Sequence, residues 1–83
     1  MLAHYLDTAM ELATYEIIED DGSYWGEIPG CQGVWARHKT LPGCQRALRE
    51  ALGGWIALRL RLGLEIPEVA GINLNQIDAA SHA

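Results

Sequence analysis

The feature that most constrains this chain is the run from Tyr15 to Thr40, YEIIEDDGSYWGEIPGCQGVWARHKT, where three strand-like segments follow one another with turn chemistry between them. Tyr15 to Glu19 and Tyr24 to Ile28 flank Asp21-Gly22, a dipeptide suited to the positive φ angles of a two-residue type I′ hairpin loop. Pro29-Gly30 punctuates the run, and Val34 to His38 resumes an extended pattern. The run predicts a β-meander over residues 13–40.

With Asp21-Gly22 as the loop, Ile18 opposes Trp25, Ile17 opposes Gly26, Glu16 opposes Glu27 and Tyr15 opposes Ile28, and opposed residues share a face. One face then carries Tyr15, Ile17, Tyr24, Gly26 and Ile28, with the bare Gly26 leaving room for a covering helix. The other carries Glu16, Ile18, Asp20, Trp25 and Glu27. It is too apolar for ordinary wet surface and too acidic for core, so something is expected to cover it.

Helical periodicity brackets the meander. Leu2, Tyr5, Leu6, Ala9, Met10 and Ala13 recur with the spacing of an amphipathic stripe, predicting a helix over residues 1–12. A helix this short needs a docking surface, and the Ile18/Trp25 face or another subunit would provide one. Thr40 is a fitting N-cap and Pro42 a fitting first-turn residue for a main helix over 41–62. Its apolar row is Cys44, Leu48, Ala51, Trp55, Leu58 and Leu62, widened by Ala47, Leu52 and Ile56, with Gly63 as its stop. Gly53-Gly54 interrupts that helix, implying either a bend or a close backbone approach. An edge strand is expected over 67–72 and a flexible tail over 75–83. The fold class is therefore α+β: a three-stranded antiparallel meander plus a fourth edge strand, a long helix on one face, and a short leading helix.

At 83 residues, 49% of them hydrophobic, the chain is one domain, residues 1–83, with a single core. No segment approaches the roughly 20 apolar residues of a membrane span, and no basic and apolar leader follows Met1, so the cytoplasm is the expected compartment. The net charge of −5 is unevenly spread. Residues 1–36 hold seven carboxylates and no Lys or Arg, whereas 37–62 hold all six basic residues against Glu50 alone. An acidic hairpin repels nucleic acid and attracts a basic protein, and the two segments also neutralise each other within one molecule or between two.

No residue set points to catalysis. His4, His38 and His82 lack metal-ligand spacing, and Cys31 and Cys44 form no CxxC pair. The cysteines suit buried thiols, a disulfide between them being the alternative. Cys44 near a helix N-terminus is the one candidate nucleophile, but it also lies on the apolar row. Glu16, Glu19, Asp20, Asp21 and Glu27 fit a solvated acidic face better than the two-metal site of a nuclease. No metal, cofactor or enzymatic activity is expected.

The ordered set Tyr15, Gly22, Tyr24, Gly26, Ile28, Pro29, Gly30, Cys31, Gly33 and Thr40, followed by the helical repeat Cys44, Leu48 and Leu52, resembles the HicB family of antitoxins over about Tyr15 to Ile72. The resemblance implies a truncated ribonuclease H-like β-β-β-α-β unit without the metal-binding carboxylates of true ribonucleases H. It also implies a partner, a small basic HicA-type toxin that cleaves messenger RNA. Many relatives continue into a helix-turn-helix or ribbon-helix-helix domain. Here only Asn75 to Ala83 follow, so direct DNA binding is not expected. The combined reading is a protein-binding antitoxin of a toxin–antitoxin system, a homo-oligomer, with Glu16, Ile18, Asp20, Trp25, Glu27 and Trp35 as candidate partner-binding residues. The rival readings are an oligomeric HicB-like module without a toxin and, more distantly, a small metal-dependent nuclease.

Overall fold

A computed structural model describes residues 2–69. Within them lie two helices and three strands, in the order α1 (Leu2–Glu11), β1 (Thr14–Ile17), β2 (Tyr24–Glu27), β3 (Trp35–His38) and α2 (Leu41–Leu62). The strands form an antiparallel sheet in the order β1-β2-β3. Both helices lie on one side of it, making a small α+β fold.

The termini of α2 fall where capping chemistry puts them. The Thr40 hydroxyl accepts from the Gly43 N–H at 3.1 Å. At the far end Gly63 adopts φ 71°, and the Leu64 N–H closes the helix on the Arg59 carbonyl at 2.8 Å. Cys44, Leu48, Leu52 and Ile56 recur every four residues and are fully buried. Burial of each aliphatic member, Leu48, Leu52 and Ile56, stabilises by about 1.5–3 kcal/mol, so this row is the main anchor of helix to sheet. The helix runs unbroken through Gly53-Gly54, where neither residue meets a described neighbour within 4 Å of a Cβ position.

Close packing needs the bare backbone at Gly26. A Cβ there would stand 2.8 Å from the Tyr15 ring and 3.1 Å from the Cys44 sulfur, so β2 and α2 approach only because Gly26 has no side chain. Cys44 donates to the Ala36 carbonyl at 3.5 Å, and burial pushes its thiol up, away from nucleophilic use. Cys31 is also a free, buried thiol raised by burial.

The hairpin register differs from the sequence expectation. Ile17 opposes Tyr24, Glu16 opposes Trp25, Tyr15 opposes Gly26 and Thr14 opposes Glu27. The loop is Glu19 to Gly22, not Asp21-Gly22, and is closed by Ile18 N–H to Ser23 carbonyl at 2.8 Å. Its cause is Asp21, whose carboxylate accepts from the Ser23 N–H and hydroxyl at 3.0 and 2.6 Å and pairs with Arg37 of β3 at 2.6 Å. Drawn into the loop as an acceptor, Asp21 lengthens it by two residues. A slip of two preserves both faces, because side chains alternate with period two. Ile18 therefore does not oppose Trp25, and Glu16 and Glu27 are diagonal, not opposed.

Between β2 and β3 the chain makes two consecutive turns, Cys31 N–H to Ile28 carbonyl at 3.1 Å and Val34 N–H to Cys31 carbonyl at 3.2 Å. Gly30 and Gly33, at φ 87° and 91°, occupy the third position of each, the type II geometry that favours glycine. Ile28, Cys31 and Val34 are thereby turned into the core at every third residue.

The leading helix docks elsewhere than on the Ile18/Trp25 face. It packs beside α2, with Tyr5 and Ala9 fully buried and Asp7 paired to Arg49 at 2.8 Å. Met10, Tyr15, Gln45 and Arg49 line one groove, which places α1 on the helix-covered side. Burial explains the choice: Tyr5 and Ala9 are fully covered there with Leu6 and Met10 packed against the same core, while the exposed Asp7–Arg49 pair adds little. The Tyr5 hydroxyl donates to the Pro67 carbonyl at 2.6 Å, and burial raises the phenol well above its ordinary value.

That bond also bears on the expected strand at 67–72. Residues 67–69 form no strand, Val69 making only an isolated bridge, and 70–72 lie outside the described residues. Pro67 has no N–H to give a ladder, and its carbonyl is taken by Tyr5. The segment serves instead as a buried strap, with Ile66 and Val69 in the core. The tail expected over 75–83 also lies outside the described residues. No described helix is long and apolar enough to cross a membrane.

Candidate partner-binding face

The side of the sheet away from the helices is built of two cross-strand rows. Glu16, Trp25 and Arg37 form one, and Thr14, Glu27 and Trp35 the other. Trp25 and Trp35 meet diagonally across β2 and β3, their rings stacked at 4.6 Å between centroids and 6° from parallel. Trp25 is half-buried and Trp35 is 52% exposed, the only exposed aromatic among the described large hydrophobics. No described helix lies over the pair.

Beside the stack, the double turn from Ile28 to Val34 walls a cavity of about 310 Å³ whose rim includes Trp25, Glu27 and Trp35. Its floor is set by the type II turns. An aromatic wall, a carboxylate at the rim and a backbone cradle are suited to a cationic or amphipathic side chain, since ring faces and carboxylates both attract positive charge.

The electrostatics of this face are sharpened by a neighbour. Arg37 belongs to it by register, but its guanidinium is engaged by Asp21 at 2.6 Å and by the Ser23 hydroxyl at 3.1 Å. Hydrogen bonds from Ser23, then the Arg37 charge, pull the Asp21 carboxyl down to about 2. With Arg37 neutralised, Glu16 and Glu27 have no ion-pair partner among the described residues and leave the face negative.

Of the candidate residues, Glu16, Trp25, Glu27 and Trp35 stand together on this face. Ile18 follows β1 on the same alternation, half-buried at the hairpin end, and Asp20 is exposed in the loop. Sequence reasoning paired Trp25 with Ile18 and missed its stacking on Trp35, which depends on the β2-β3 register. It also missed the Asp21–Ser23–Arg37 network. The opposed carboxylate pair of a nuclease site does not form, and among the described residues no three His, Cys, Asp or Glu side chains gather to hold a metal ion.

Comparison with known proteins places these features in a family. The UPF0150-like family matches residues 4–67. Among solved structures, TTHA0281 from Thermus thermophilus is similar, with 38% identity, a TM-score of 0.81 and coverage of 88% of this chain and 90% of that one. Among curated proteins no match was found. The match takes in most of α1, the whole sheet, the paired tryptophans and α2, and on that extent the chain belongs to the UPF0150-like family.

Proposed function

We propose that this protein is a HicB-type antitoxin that binds and masks a small basic toxin of HicA type. The fold is read as a truncated ribonuclease H-like unit used for binding and not for hydrolysis, without a cofactor. The observation that carries the proposal is the Trp25–Trp35 stack set between the unpaired carboxylates of Glu16 and Glu27, on a sheet face that no described element covers. Apolar aromatic area supplies affinity, while complementary charge speeds encounter and rejects acidic partners. A basic ribonuclease has the charge to match, and an anchor seated in the cavity beside the stack would be a lysine or arginine. Family membership supports the same reading.

The test is direct. The chain is mixed with a purified HicA-type toxin encoded beside it, and complex formation and messenger-RNA cleavage are measured together. A stable complex with cleavage suppressed is expected, weakened at least tenfold by Glu16→Lys combined with Glu27→Lys. A toxin that stays free and active in excess of the chain would sink the proposal.

A further inference from the structure

We infer that a second cavity, between α2, the double turn and the strap at Pro67, is a binding site for a small aromatic carboxylate held by Arg59. The cavity has a volume of about 410 Å³ and is lined by Gly30, Gln32, Trp55, Arg59 and Pro67. Small-molecule sites run to about 300–1,000 Å³, so it has room for a ligand of one or two rings. Gly30 and Gln32 also line the cavity beside the tryptophan stack, which makes the double turn a wall common to both.

The first observation is the way Arg59 is held. Its guanidinium lies over the Trp55 ring, 4.8 Å from the centroid, and its Nε–H donates to the Glu65 carbonyl at 2.6 Å. Two fixed points orient the planar group. They leave both Nη groups, an edge that meets a carboxylate in two parallel hydrogen bonds, without an ion pair among the described residues. Arg37 and Arg49 each end on a carboxylate, but neither Glu65 nor Glu68 pairs with Arg59. Arg46 and Arg61 also lack an ion pair, yet both are exposed and have no such fixing contact among the described residues. Pre-organisation of this kind reduces the cost of binding.

The second observation is the sign of the lining. No Asp or Glu is among the residues that form this cavity, whereas Glu27 stands at the rim of the other. The polar side-chain atom of Trp55 is an N–H donor, and Gln32 adds an amide that also donates. Burial pushes the Cys31 thiol up, and the Tyr5 hydroxyl and then the Arg59 charge oppose that push, so the Arg59 field reaches into the core. One guanidinium matches a monoanion better than a doubly charged phosphate. The rings of Trp55 and Pro67 supply apolar walls for a flat body behind the carboxylate.

This inference does not use the toxin-binding reading, because it involves none of Glu16, Trp25, Glu27 and Trp35. The probe is sodium benzoate, titrated into the full chain and followed at the Trp55 indole N–H signal by heteronuclear NMR, the signal being assigned with Trp55→Phe. A saturable shift with a Kd on the order of 1 mM or tighter is expected. Benzylamine, the same ring on a cation, and inorganic phosphate, an anion without the ring, should each bind at least tenfold more weakly. Arg59→Gln should weaken benzoate binding at least tenfold. Gln32→Glu, an exposed substitution outside the helix that brings a carboxylate to the rim, should do the same. Circular dichroism on both variants separates loss of the site from loss of the fold. A Trp55 signal that benzoate does not move would overturn the proposal. Benzoate affinity unchanged in either folded variant, or matched by benzylamine or phosphate, would overturn it equally.

Discussion

The two faces of the sheet carry rows of the same length but opposite character. On the helix-covered side, Tyr15, Gly26 and Ala36 form a row whose middle residue is bare, and α2 fits against it so closely that Cys44 hydrogen-bonds to the carbonyls of Tyr24 and Ala36. On the other side the equivalent row is Glu16, Trp25 and Arg37, with nothing described above it. One face spends its apolar surface on folding. The other keeps two stacked tryptophans at the surface, where no described element buries them. The lesson is that large exposed aromatics ringed by unpaired carboxylates mark recognition, whereas small residues opposite a helix mark packing.

Substitutions distinguish the faces. The largest effect is expected on the covered side. Leu52→Ala removes a fully buried side chain and should cost about 2–5 kcal/mol, read as a drop in urea midpoint, with partner affinity per folded molecule unchanged. Gly26→Ala should cost about 1–3 kcal/mol, because the added methyl meets the Tyr15 ring and the Cys44 sulfur together. A neutral outcome in thermal unfolding would mean that the sheet and α2 are not in the close contact described.

Trp25→Ala sharpens the contrast, since it sits on the open face. Its cost to stability should be about 1 kcal/mol, the scale of an aromatic pair, while affinity for a toxin should fall by about 2 kcal/mol or more, near thirtyfold, as for a central aromatic anchor. Calorimetry of binding and thermal unfolding on the same preparation would separate the two. The smallest expected effect belongs to Asp21. Its folded-state pKa of about 2 lies below the ordinary carboxylate value, so what it contributes is fully present above about pH 4 and lost as pH falls through about 2. The difference in melting temperature between wild type and Asp21→Asn should therefore close across that window. A gap that stayed constant from pH 5 to below about 2 would show that the Ser23 and Arg37 contacts do not depend on the charge.

Local chemistry made much of the fold legible. The span of α2, its Thr40 and Gly63 caps, the room at Gly26 and the buried thiols all follow from interactions within a few residues or from simple alternation. Legibility failed where a distant residue decided the matter. Asp21-Gly22 has the composition of a tight turn, but Arg37, sixteen residues away, and Ser23 hold Asp21 in a longer loop. The docking of α1 followed the burial of Tyr5 and Ala9 beside α2, far along the chain, not the nearest apolar patch in sequence. The strap at Pro67 depended on a hydroxyl at Tyr5, sixty-two positions earlier. At the candidate site, the composition of the face was readable because a two-residue slip preserves it. The Trp25–Trp35 stack was not, because it needs the register of the third strand.

The central claim, that the Trp25–Trp35 face is kept for a partner and not for folding, is tested most directly by measuring toxin affinity and unfolding midpoint side by side for Trp35→Ala. The expected result is affinity reduced at least tenfold with the midpoint shifted by no more than a few degrees. An unfolding midpoint that collapses while affinity per folded molecule is retained would contradict it, placing the tryptophans in the core of the fold and not at its point of contact.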